Sequence, residues 1–319
     1  MPRSTKQASK TVLAWLIGMV FVLFGVGLVT GVEIYWAKVI EPERAGLSTA
    51  VPVPADALDS QYNGKLVQVT GDLSGAETLT DADFKVAVNA LRLRRRVWMW
   101  QWVQTQAAKH TTFSATETDP QTHQENTVIS VSARNYFYSP EWLEQVVDSR
   151  SFYYPGHDNP PAMRLPAPTV AAAKVSLGAF VLSPDLVAQL DNFQMVTLGG
   201  GNLPGWDSSL SGPSRLLDDG IYIGANPKQP AIGDLKVRLE YAPVTNVSVI
   251  ARQDGGRLMP FAVTPSASVA RLQVGLHSVS DMVRQFNHDN LEWRVLGWVM
   301  GLFAALAGGL LIKLSGKAR

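Results

Sequence analysis

The chain has 319 residues, 46% of them hydrophobic and 17% charged, with no cysteine and a formal net charge of +1 at pH 7. A charge this small excludes bulk electrostatic attraction to nucleic acid, and the missing thiols exclude disulfides and argue against a structural zinc site. The apolar residues are concentrated near both ends, which indicates a membrane protein with a large polar middle.

The first predicted element is a transmembrane helix over residues 11–36, after a short basic tail at residues 1–10. Thr11 to Val32 carries no charge, and a helix of that length crosses about 30 Å of hydrocarbon. A cleaved signal peptide is the alternative, but its apolar region would extend over about 7–15 residues. Because the run is longer and ends in an aromatic belt at Tyr35 and Trp36, we expect a retained helix.

Residues 37–60 are predicted to form a linker, because Pro, Ala and Ser are frequent there. A β-rich domain is then predicted over residues 61–290, as one domain or two. Its strand signals are period-two alternation and bounding turns. The predicted strands are 65–71, 91–104, 128–131, 174–181 and 220–223, a hairpin of 234–242 with 246–253, and 257–263, with a polar loop near 105–126. Such a pattern suits a small barrel or a sandwich.

Three helix starts interrupt the strands. Ser139-Pro140-Glu141 and Ser183-Pro184-Asp185 combine an N-cap serine with a proline in the first turn, and they predict helices to about Ser149 and Leu190. Ser278 and Asp281 form a capping box that opens a third helix, with a break expected near Asn287 to Asn290. The Gly- and Pro-rich stretch 199–233 is predicted to be a flexible loop, long enough to form a lid.

The second transmembrane helix is predicted over residues 293–314, followed by a basic tail at 315–319. The charged residues of both tails are all basic, whereas the inner flanks of the spans carry both acidic and basic residues. The positive-inside rule therefore predicts that both termini are cytoplasmic and that the middle domain is periplasmic or lumenal. Gly27 and Gly31, like Gly297 and Gly301, have the spacing of close helix packing, which intramolecular pairing of the spans and oligomerisation explain equally well.

The predicted strand at 91–104 carries the most unusual surface in the sequence. Period-two alternation places three arginines and three tryptophans on one face and a mainly apolar set on the other. The residues of this Arg/Trp face are Arg92, Arg94, Arg96, Trp98, Trp100 and Trp102. Two interpretations stay open: a neighbouring element covers the face and acids pair with its arginines, or the face is an interaction surface, where Trp and Arg are the usual anchors.

Motifs for catalysis, cofactors or metals are missing from the sequence. It contains no nucleophile elbow, P-loop or dinucleotide fingerprint, and no histidine pair with metal-ligand spacing. His157 and Asp158 are a candidate ligand pair, although a turn held by side-chain to backbone hydrogen bonds explains them as well. We therefore predict no catalytic residues, no cofactor and no metal.

Several segments, in order and over about residues 62 to 300, resemble the transmembrane protein 43 (LUMA) family. The family-motif loop is formed by Gly156, His157, Asn159 and Pro160. The other segments are Asn63-Gly64-Lys65-Leu66-Val67, Leu93-Arg94-Arg95, Trp100-Gln101-Trp102, Glu141-Trp142, Asn226-Pro227-Lys228, Gly233-Asp234-Leu235, Val249-Ile250-Ala251-Arg252-Gln253, Pro260-Phe261 and Gly297-Trp298.

The resemblance implies an extracytoplasmic domain of OB-like barrel character between two spans, and a scaffolding role without catalysis. Animal members are associated with the endoplasmic reticulum and inner nuclear membrane, where they self-associate and bind other membrane proteins. They continue with two further spans, whereas this chain stops at Arg319, and Trp98 stands where the family pattern has an acidic residue. We expect a shorter bacterial homologue in the inner membrane with a periplasmic domain.

The leading hypothesis is a non-enzymatic, membrane-anchored scaffold that self-associates, or organises other membrane proteins, through its β-rich domain. Its expected partners are the lipid bilayer, a second copy of the chain and other membrane proteins, but not nucleic acid. The alternative is a membrane-tethered domain that senses a ligand or lipid, with the loop at 199–233 as a lid. An enzyme ranks third, because His157 and Asp158 would need distant acids that the sequence does not reveal.

Overall fold

The structure is a computed structural model that describes residues 3–118, 125–198 and 213–317. The chain divides into two compact units. The first combines Met1–Ala76, Ala172–Asn192 and Val244–Arg319, and the second combines Glu77–Ala171 and Phe193–Pro243. The predicted β-rich domain at 61–290 is thus shared between two units, and the first of them also contains both terminal helices.

The N-terminal helix is longer than predicted. Helix α1 (Arg3–Tyr35) continues through a π-helical turn (Trp36–Ile40) into α2 (Glu41–Ser48), so the predicted linker at 37–60 is helical as far as Ser48. Pro42 has no N–H for an ordinary helical hydrogen bond, and the Glu41 N–H instead bonds to the Trp36 carbonyl in the π pattern. Ile40 and Leu47 are buried in a cluster with strand residues, which holds this segment in the first unit.

Two further α-helices occur in the described part of the chain, α3 (Pro184–Val187) and α4 (Val279–Lys317). The capping box is confirmed, because the Ser278 Oγ lies 2.6 Å from Asp281 Oδ2 and accepts the Asp281 N–H at 3.2 Å. The predicted break near Asn287 to Asn290 is wrong. Asparagine only weakens a helix, and the Asn290 side chain donates to the Phe286 carbonyl, one turn back, without interrupting the backbone.

Helices α1 and α4 lie side by side, and both are long and apolar enough to cross a membrane. Arg294 Nε and Nη2 donate to the two Glu33 carboxylate oxygens at 2.8 and 2.7 Å, and the Trp298 indole N–H donates to the same carboxylate. The Arg294 guanidinium also lies over the Trp36 ring, 4.5 Å from its centroid. These contacts join the two helices near one end of their apolar stretches.

Short strands make up most of the remaining chain, so the β-rich prediction is confirmed. In chain order they are β1 (Val51–Val53), β2 (Leu66–Ser74), β3 (Glu77–Asp81), β4 (Val86–Ala90), β5 (Arg92–Thr118), β6 (Glu125–Leu143), β7 (Thr169–Ala171), β8 (Ser176–Leu177), β9 (Phe180–Leu182), β10 (Gln194–Met195), β11 (Ser214–Leu217), β12 (Gly220–Ile223), β13 (Leu235–Ala242), β14 (Asn246–Asp254), β15 (Arg257–Met259), β16 (Phe261–Thr264), β17 (Ala267–Val269) and β18 (Arg271–Val274).

The first unit contains a closed barrel of five strands. The ring runs β2-β8-β9-β15-β14 and closes where β14 pairs with β2 from Asn246 opposite Asp72 to Arg252 opposite Leu66. All pairs in the ring are antiparallel except β9–β15. Strands β1 and β18 extend the sheet beside β2 and β14, and β16 pairs with β17.

The second unit is built on the sheet β11-β12-β13-β5-β6, with β7 beside β5 and β10 beside β13. Strands β3 and β4 form a separate hairpin. The inward residues of β5, β12 and β13 alternate as a two-residue period requires, and they form a buried core with residues from neighbouring segments: Phe84, Val97, Met99, Leu165, Ile221, Ile223, Leu235, Val237 and Leu239.

Three local predictions are wrong. Residues 139–143 belong to β6 rather than to a helix, because Pro140 lies opposite Trp102 on an edge strand, where its missing N–H removes no ladder bond. The stretch 174–181 forms two strands separated by a turn at Gly178, whose φ is +58°. Strands β13 and β14 do not form the predicted hairpin, because each belongs to a different unit and pairs with strands distant in sequence.

The predicted loops also differ. Strand β5 continues to Thr118 and β6 begins at Glu125, so most of the polar stretch near 105–126 is a long hairpin. Within the predicted flexible stretch 199–233, β11 and β12 form a regular hairpin. Residues 199–212, the first part of the predicted lid, lie outside the described part of the chain.

Candidate interaction surface

The Arg/Trp face lies on β5 of the second unit, on the side of the sheet away from the core. Arg92, Arg94, Arg96, Trp98, Trp100 and Trp102 are all half-buried, whereas the residues between them are buried. The alternation predicted from the sequence is therefore confirmed. Half-burial leaves part of each side chain accessible, so the contacts of each residue determine what the face offers.

The arginines of this face have partners. Arg94 Nε donates to Glu240 Oε2 at 2.7 Å, and Arg96 Nε donates to Glu144 Oε1 at 2.5 Å. The guanidinium groups of Arg92 and Arg94 also lie 5.1 and 3.7 Å from the centroid of the Phe193 ring. The first interpretation, in which acids pair with the arginines, therefore applies to Arg94 and Arg96.

The tryptophans of the face contact cations and other aromatic rings. Trp98 lies beneath two guanidinium groups, those of Arg96 at 4.7 Å and Arg238 at 5.4 Å from its ring. Trp100 contacts Trp142 with ring centroids 5.1 Å apart. The Lys236 ammonium lies 4.9 Å from the Trp142 ring, and a small cavity of about 200 Å³ opens between Trp98, Trp142 and Lys236. Cations over indole faces in such a setting contribute about 0.5–2 kcal/mol each.

Trp102 and the family-motif loop, which are distant in sequence, lie together. The Trp102 backbone N–H donates to Asn159 Oδ1 at 2.7 Å, and Asn159 Nδ2 donates back to the Trp102 carbonyl at 2.9 Å. The Asn159 amide thus occupies the edge of β5 as a strand backbone would. His157 lies edge-on to Trp102, with centroids 4.8 Å apart, and stacks on Tyr138 at 3.9 Å.

Local hydrogen bonds set the shape of this loop. Asp148 accepts from the Arg150 side chain and backbone, and these bonds lower the Asp148 pKa to about 2. The next residue, Ser149, accepts the Asn159 N–H at 2.9 Å through its Oγ. Gly156 has a φ of +91°, which a residue with a Cβ rarely adopts. His157 is therefore held in an aromatic stack, and Asp158 is exposed.

Sequence reasoning missed several aromatic residues around this loop. Tyr136 stacks on Tyr153 at 4.5 Å, and Tyr153 lies edge-on to Tyr154 at 4.9 Å. Tyr153, Tyr154 and the nearby Phe137 are 64%, 50% and 56% exposed. The sequence does contain a signal for this cluster, because three consecutive residues are aromatic at 136–138 and again at 152–154. The two segments are separate and show no fixed period, so nothing in the sequence links them.

A buried tyrosine closes the other end of the face. Tyr222 is fully buried, and its hydroxyl donates to Asp234 Oδ2 at 2.5 Å and contacts the Asn226 carbonyl at 3.0 Å. Burial, and then the Asp234 carboxylate, raise the pKa of Tyr222. Both effects favour the neutral phenol. Within the described ranges, no group of three or more His, Asp or Glu side chains is arranged to hold a metal ion.

The predicted glycines of the spans divide into two sets. A Cβ on Gly297 or Gly301 would lie 2.6 Å from a Val32 or Val29 methyl group of α1, so both glycines are at the α1–α4 contact. A Cβ on Gly27 or Gly31 would meet nothing within 4 Å. On α1 the contact is made by Gly18 and Gly25, which sequence reasoning missed. Intramolecular packing therefore does not explain Gly27 and Gly31, and oligomerisation stays a prediction for them.

Comparison with known proteins gives a consistent result. A family model described as Transmembrane protein 43 matches residues 99–314. Proteins of that name from Mus musculus and Homo sapiens are each 30% identical over 321 residues, which covers 96% of this chain and 75% of each relative. A Drosophila melanogaster protein named Transmembrane protein 43 homolog is 27% identical, covering 92% of this chain and 77% of its own length. No solved structure matches.

Proposed function

Because the chain belongs to the transmembrane protein 43 family, we propose that it is a non-enzymatic scaffold, anchored in a membrane by α1 and α4. It self-associates, or organises other membrane proteins, through its second unit. Both termini are cytoplasmic and the β-rich part is on the opposite side, in the periplasm or a lumen. The basic tails support this orientation.

The long β5–β6 hairpin carries the proposal. From Thr105 opposite Phe137 to Thr118 opposite Glu125, the two strands pair with each other and with no other described strand. At about 3.3 Å per residue, this stretch reaches on the order of 45 Å. A two-stranded ribbon is marginally stable alone in water, and its unpaired edges accept further strands. A second copy of the chain supplies the missing strands in our proposal, by edge pairing.

Aromatic residues at the base of the hairpin support the same surface. Phe137, Tyr153 and Tyr154 are exposed, and Trp98 is half-buried beneath two guanidinium groups. Tyrosine, tryptophan and arginine are the residues that most often dominate binding energy at interfaces. Trp100 and Trp102 are occupied by Trp142 and the family-motif loop, so we place the interaction at Trp98 and the hairpin.

Two further features fit a membrane scaffold. The uncovered Gly27 and Gly31 of α1 have the spacing that lets a helix of a second copy approach closely. We also propose that the barrel of the first unit is OB-like. With its strands numbered in chain order, the ring runs 1-2-3-5-4 with a parallel 3–5 pair, and an OB-fold is a five-stranded barrel.

The test is the mass of the purified protein in detergent, by light scattering with the detergent mass subtracted. In the variant, residues 107–135 are replaced by Asn-Gly, so that Gln106 and Tyr136, which are already opposite each other, are joined by a two-residue turn. We expect a discrete multimer for the native chain and fewer copies per particle for the variant, whose circular dichroism should differ from that of the native chain only by the loss of the removed strand residues. A native monomer, or a variant with as many copies per particle as the native chain, would contradict the proposal.

A further inference from the structure

The first unit contains a polar cavity that lies outside the surfaces to which we assign self-association. It has a volume of about 410 Å³ and lies between the segment after α3, strand β18 and the first turns of α4. Small-molecule sites are typically about 300–1,000 Å³, so the cavity can hold one small group. Its polar lining includes Gln189, Asp191, Arg271, Gln285 and Asp289.

Hydrogen bonds hold the walls of this cavity in place. Gln189 Nε2 donates to the Ala270 carbonyl, and Gln189 Oε1 accepts the Leu272 N–H, both at 2.9 Å. Gln285 Nε2 donates to Asp289 Oδ1 at 2.7 Å and so orients that carboxylate. The apolar part of the lining is Leu272, Met282 and Phe286, which are buried. Preformed walls reduce the entropy that a ligand loses by ordering them.

The charges of the lining have both signs. The Arg271 guanidinium lies 4.6 Å from the Phe286 ring centroid, and its Nε is 3.4 Å from Glu43 Oε1, a long contact that engages one side of the group. Among the described residues, neither Asp191 nor Asp289 has a basic side chain within 4.0 Å. The cavity therefore offers one guanidinium and two carboxylates without a cationic partner, which together complement a ligand with one anionic and one cationic group.

The position of the cavity along α4 indicates where such a ligand comes from. Asp289 precedes the predicted start of the second span at residue 293 by one turn, about 6 Å at 1.5 Å per residue. The headgroup layer on each side of a bilayer is about 5–8 Å thick. The lower rim of the cavity is therefore at headgroup depth, a step that depends on the membrane anchoring proposed above.

We propose that this cavity binds the phosphoethanolamine headgroup of a membrane lipid, with the phosphate on Arg271 and the ammonium between Asp191 and Asp289. Guanidinium groups bind phosphate through paired, charge-assisted hydrogen bonds. The ammonium distinguishes this headgroup from phosphatidylglycerol, which carries the phosphate alone. The scaffold thereby becomes sensitive to the lipid composition of its own membrane.

The experiment measures binding to the full chain in detergent by titration calorimetry. The probes are dihexanoyl phosphatidylethanolamine, dihexanoyl phosphatidylglycerol and soluble phosphoethanolamine. We expect the native chain to prefer the ethanolamine lipid over the glycerol lipid by about tenfold, the effect of one charge-assisted hydrogen bond. Tighter binding of the lipid than of soluble phosphoethanolamine supports a lipid source, and equal binding overturns it in favour of a free metabolite.

Two variants locate the site. Asp289→Asn should reduce the preference for ethanolamine severalfold, because Asp191 alone then faces the ammonium, and it should leave the Arg271–Phe286 contact and the binding of the glycerol lipid unchanged. Arg271→Gln should weaken both lipids by tenfold or more. Arg284→Gln is the matched control, because Arg284 lies on the same helix outside the cavity with its side chain 77% exposed.

The contradicting results are also specific. The proposal fails if the native chain has no preference for ethanolamine, if Asp289→Asn and Arg271→Gln both bind as the native chain does, or if Arg284→Gln loses binding equally. None of these results depends on the assembly mass, so a failed headgroup site and a failed scaffold are distinguishable.

Discussion

At the residue scale, the least expected feature is a buried arginine on the apolar face of β5. Arg95 and Asp81 are 3% and 5% exposed. Arg95 Nε donates to Asp81 Oδ2 at 2.9 Å, Nη2 is 2.7 Å from Asp83 Oδ2, and Nη1 donates to the Pro166 carbonyl at 3.0 Å. All three nitrogens of the guanidinium are thus engaged, which is the condition under which a buried charge is tolerated.

We predict that Asp81→Asn lowers the free energy of unfolding by about 3–5 kcal/mol, because it leaves the Arg95 charge buried without its main partner. Denaturant unfolding of the purified chain, followed by tryptophan fluorescence, measures the loss. Asp83→Asn is the matched control: the Asp83 side chain is 37% exposed, and we expect a loss of about 1 kcal/mol or less.

The double variant Arg95→Met with Asp81→Leu tests the cause. Replacing a buried ion pair by apolar residues is often neutral or stabilising, so the double variant should lose less stability than Asp81→Asn alone. If Asp81→Asn and Asp83→Asn lose equal stability, the buried pair does not have the role assigned to it.

The two faces of β5 were predictable from the sequence, but the partners of its residues were not. A period of two places Arg95 inside and Trp98 outside without further information. Their partners come from other segments. Arg95 pairs with Asp81 of β3, and Trp98 lies opposite Lys236 of β13. Trp102 bonds to Asn159 of a loop. One sequence gives no measure of such distant pairings, so the interaction between Trp102 and the family-motif loop became visible only in the structure.

At the element scale, short sequence motifs predicted an element correctly where its hydrogen bonds lie within a few residues. They predicted it wrongly where pairing with a strand distant in sequence determines the structure. The capping box at Ser278 opens a helix because its hydrogen bonds lie within one turn. Ser139-Pro140-Glu141 has an equally good helix signal, yet pairing with β5 along a long hairpin makes it a strand. Likewise, the turn between β13 and β14 joins two units rather than two hairpin strands.

The α1–α4 contact gives a second prediction of stability. A Cβ on Gly301 would be 2.6 Å from a Val29 methyl group and 2.8 Å from the Gly25 carbonyl oxygen. Gly301→Ala should therefore force the helices apart and cost about 1–3 kcal/mol, as overpacking does. A thermal melt in detergent measures it as a lower midpoint.

Gly309→Ala is the control for this variant, since Gly309 is on the same helix and a Cβ there meets nothing within 4 Å. The change should be neutral or slightly stabilising, because alanine favours a helix over glycine. Equal destabilisation by Gly309→Ala and Gly301→Ala would contradict the role given to the contact at Gly301, because helix propensity alone favours alanine at both positions.

At the scale of the whole molecule, the proposed orientation is testable because the chain has no cysteine. Ser60→Cys lies in the exposed turn after β1, and Ala318→Cys lies in the basic C-terminal tail. In intact bacterial cells that carry the chain in their inner membrane, a maleimide that does not cross this membrane should label Ser60→Cys and should label Ala318→Cys only after lysis. Labelling of the tail in intact cells would contradict the positive-inside assignment.

The interleaving of the two units has a consequence for synthesis. Strand β2 needs β14 to close its barrel, and β5 needs β13 to complete its sheet. At about 5–20 residues per second, the interval between the translation of Leu66 and Arg252 lasts on the order of 10–40 s. During that time α1 can already be in the membrane while both sheets have open edges. During this interval, the open strand edges of one nascent chain can pair with those of another chain that is being translated from the same messenger RNA. Slower translation before residue 246 should therefore increase misassembly.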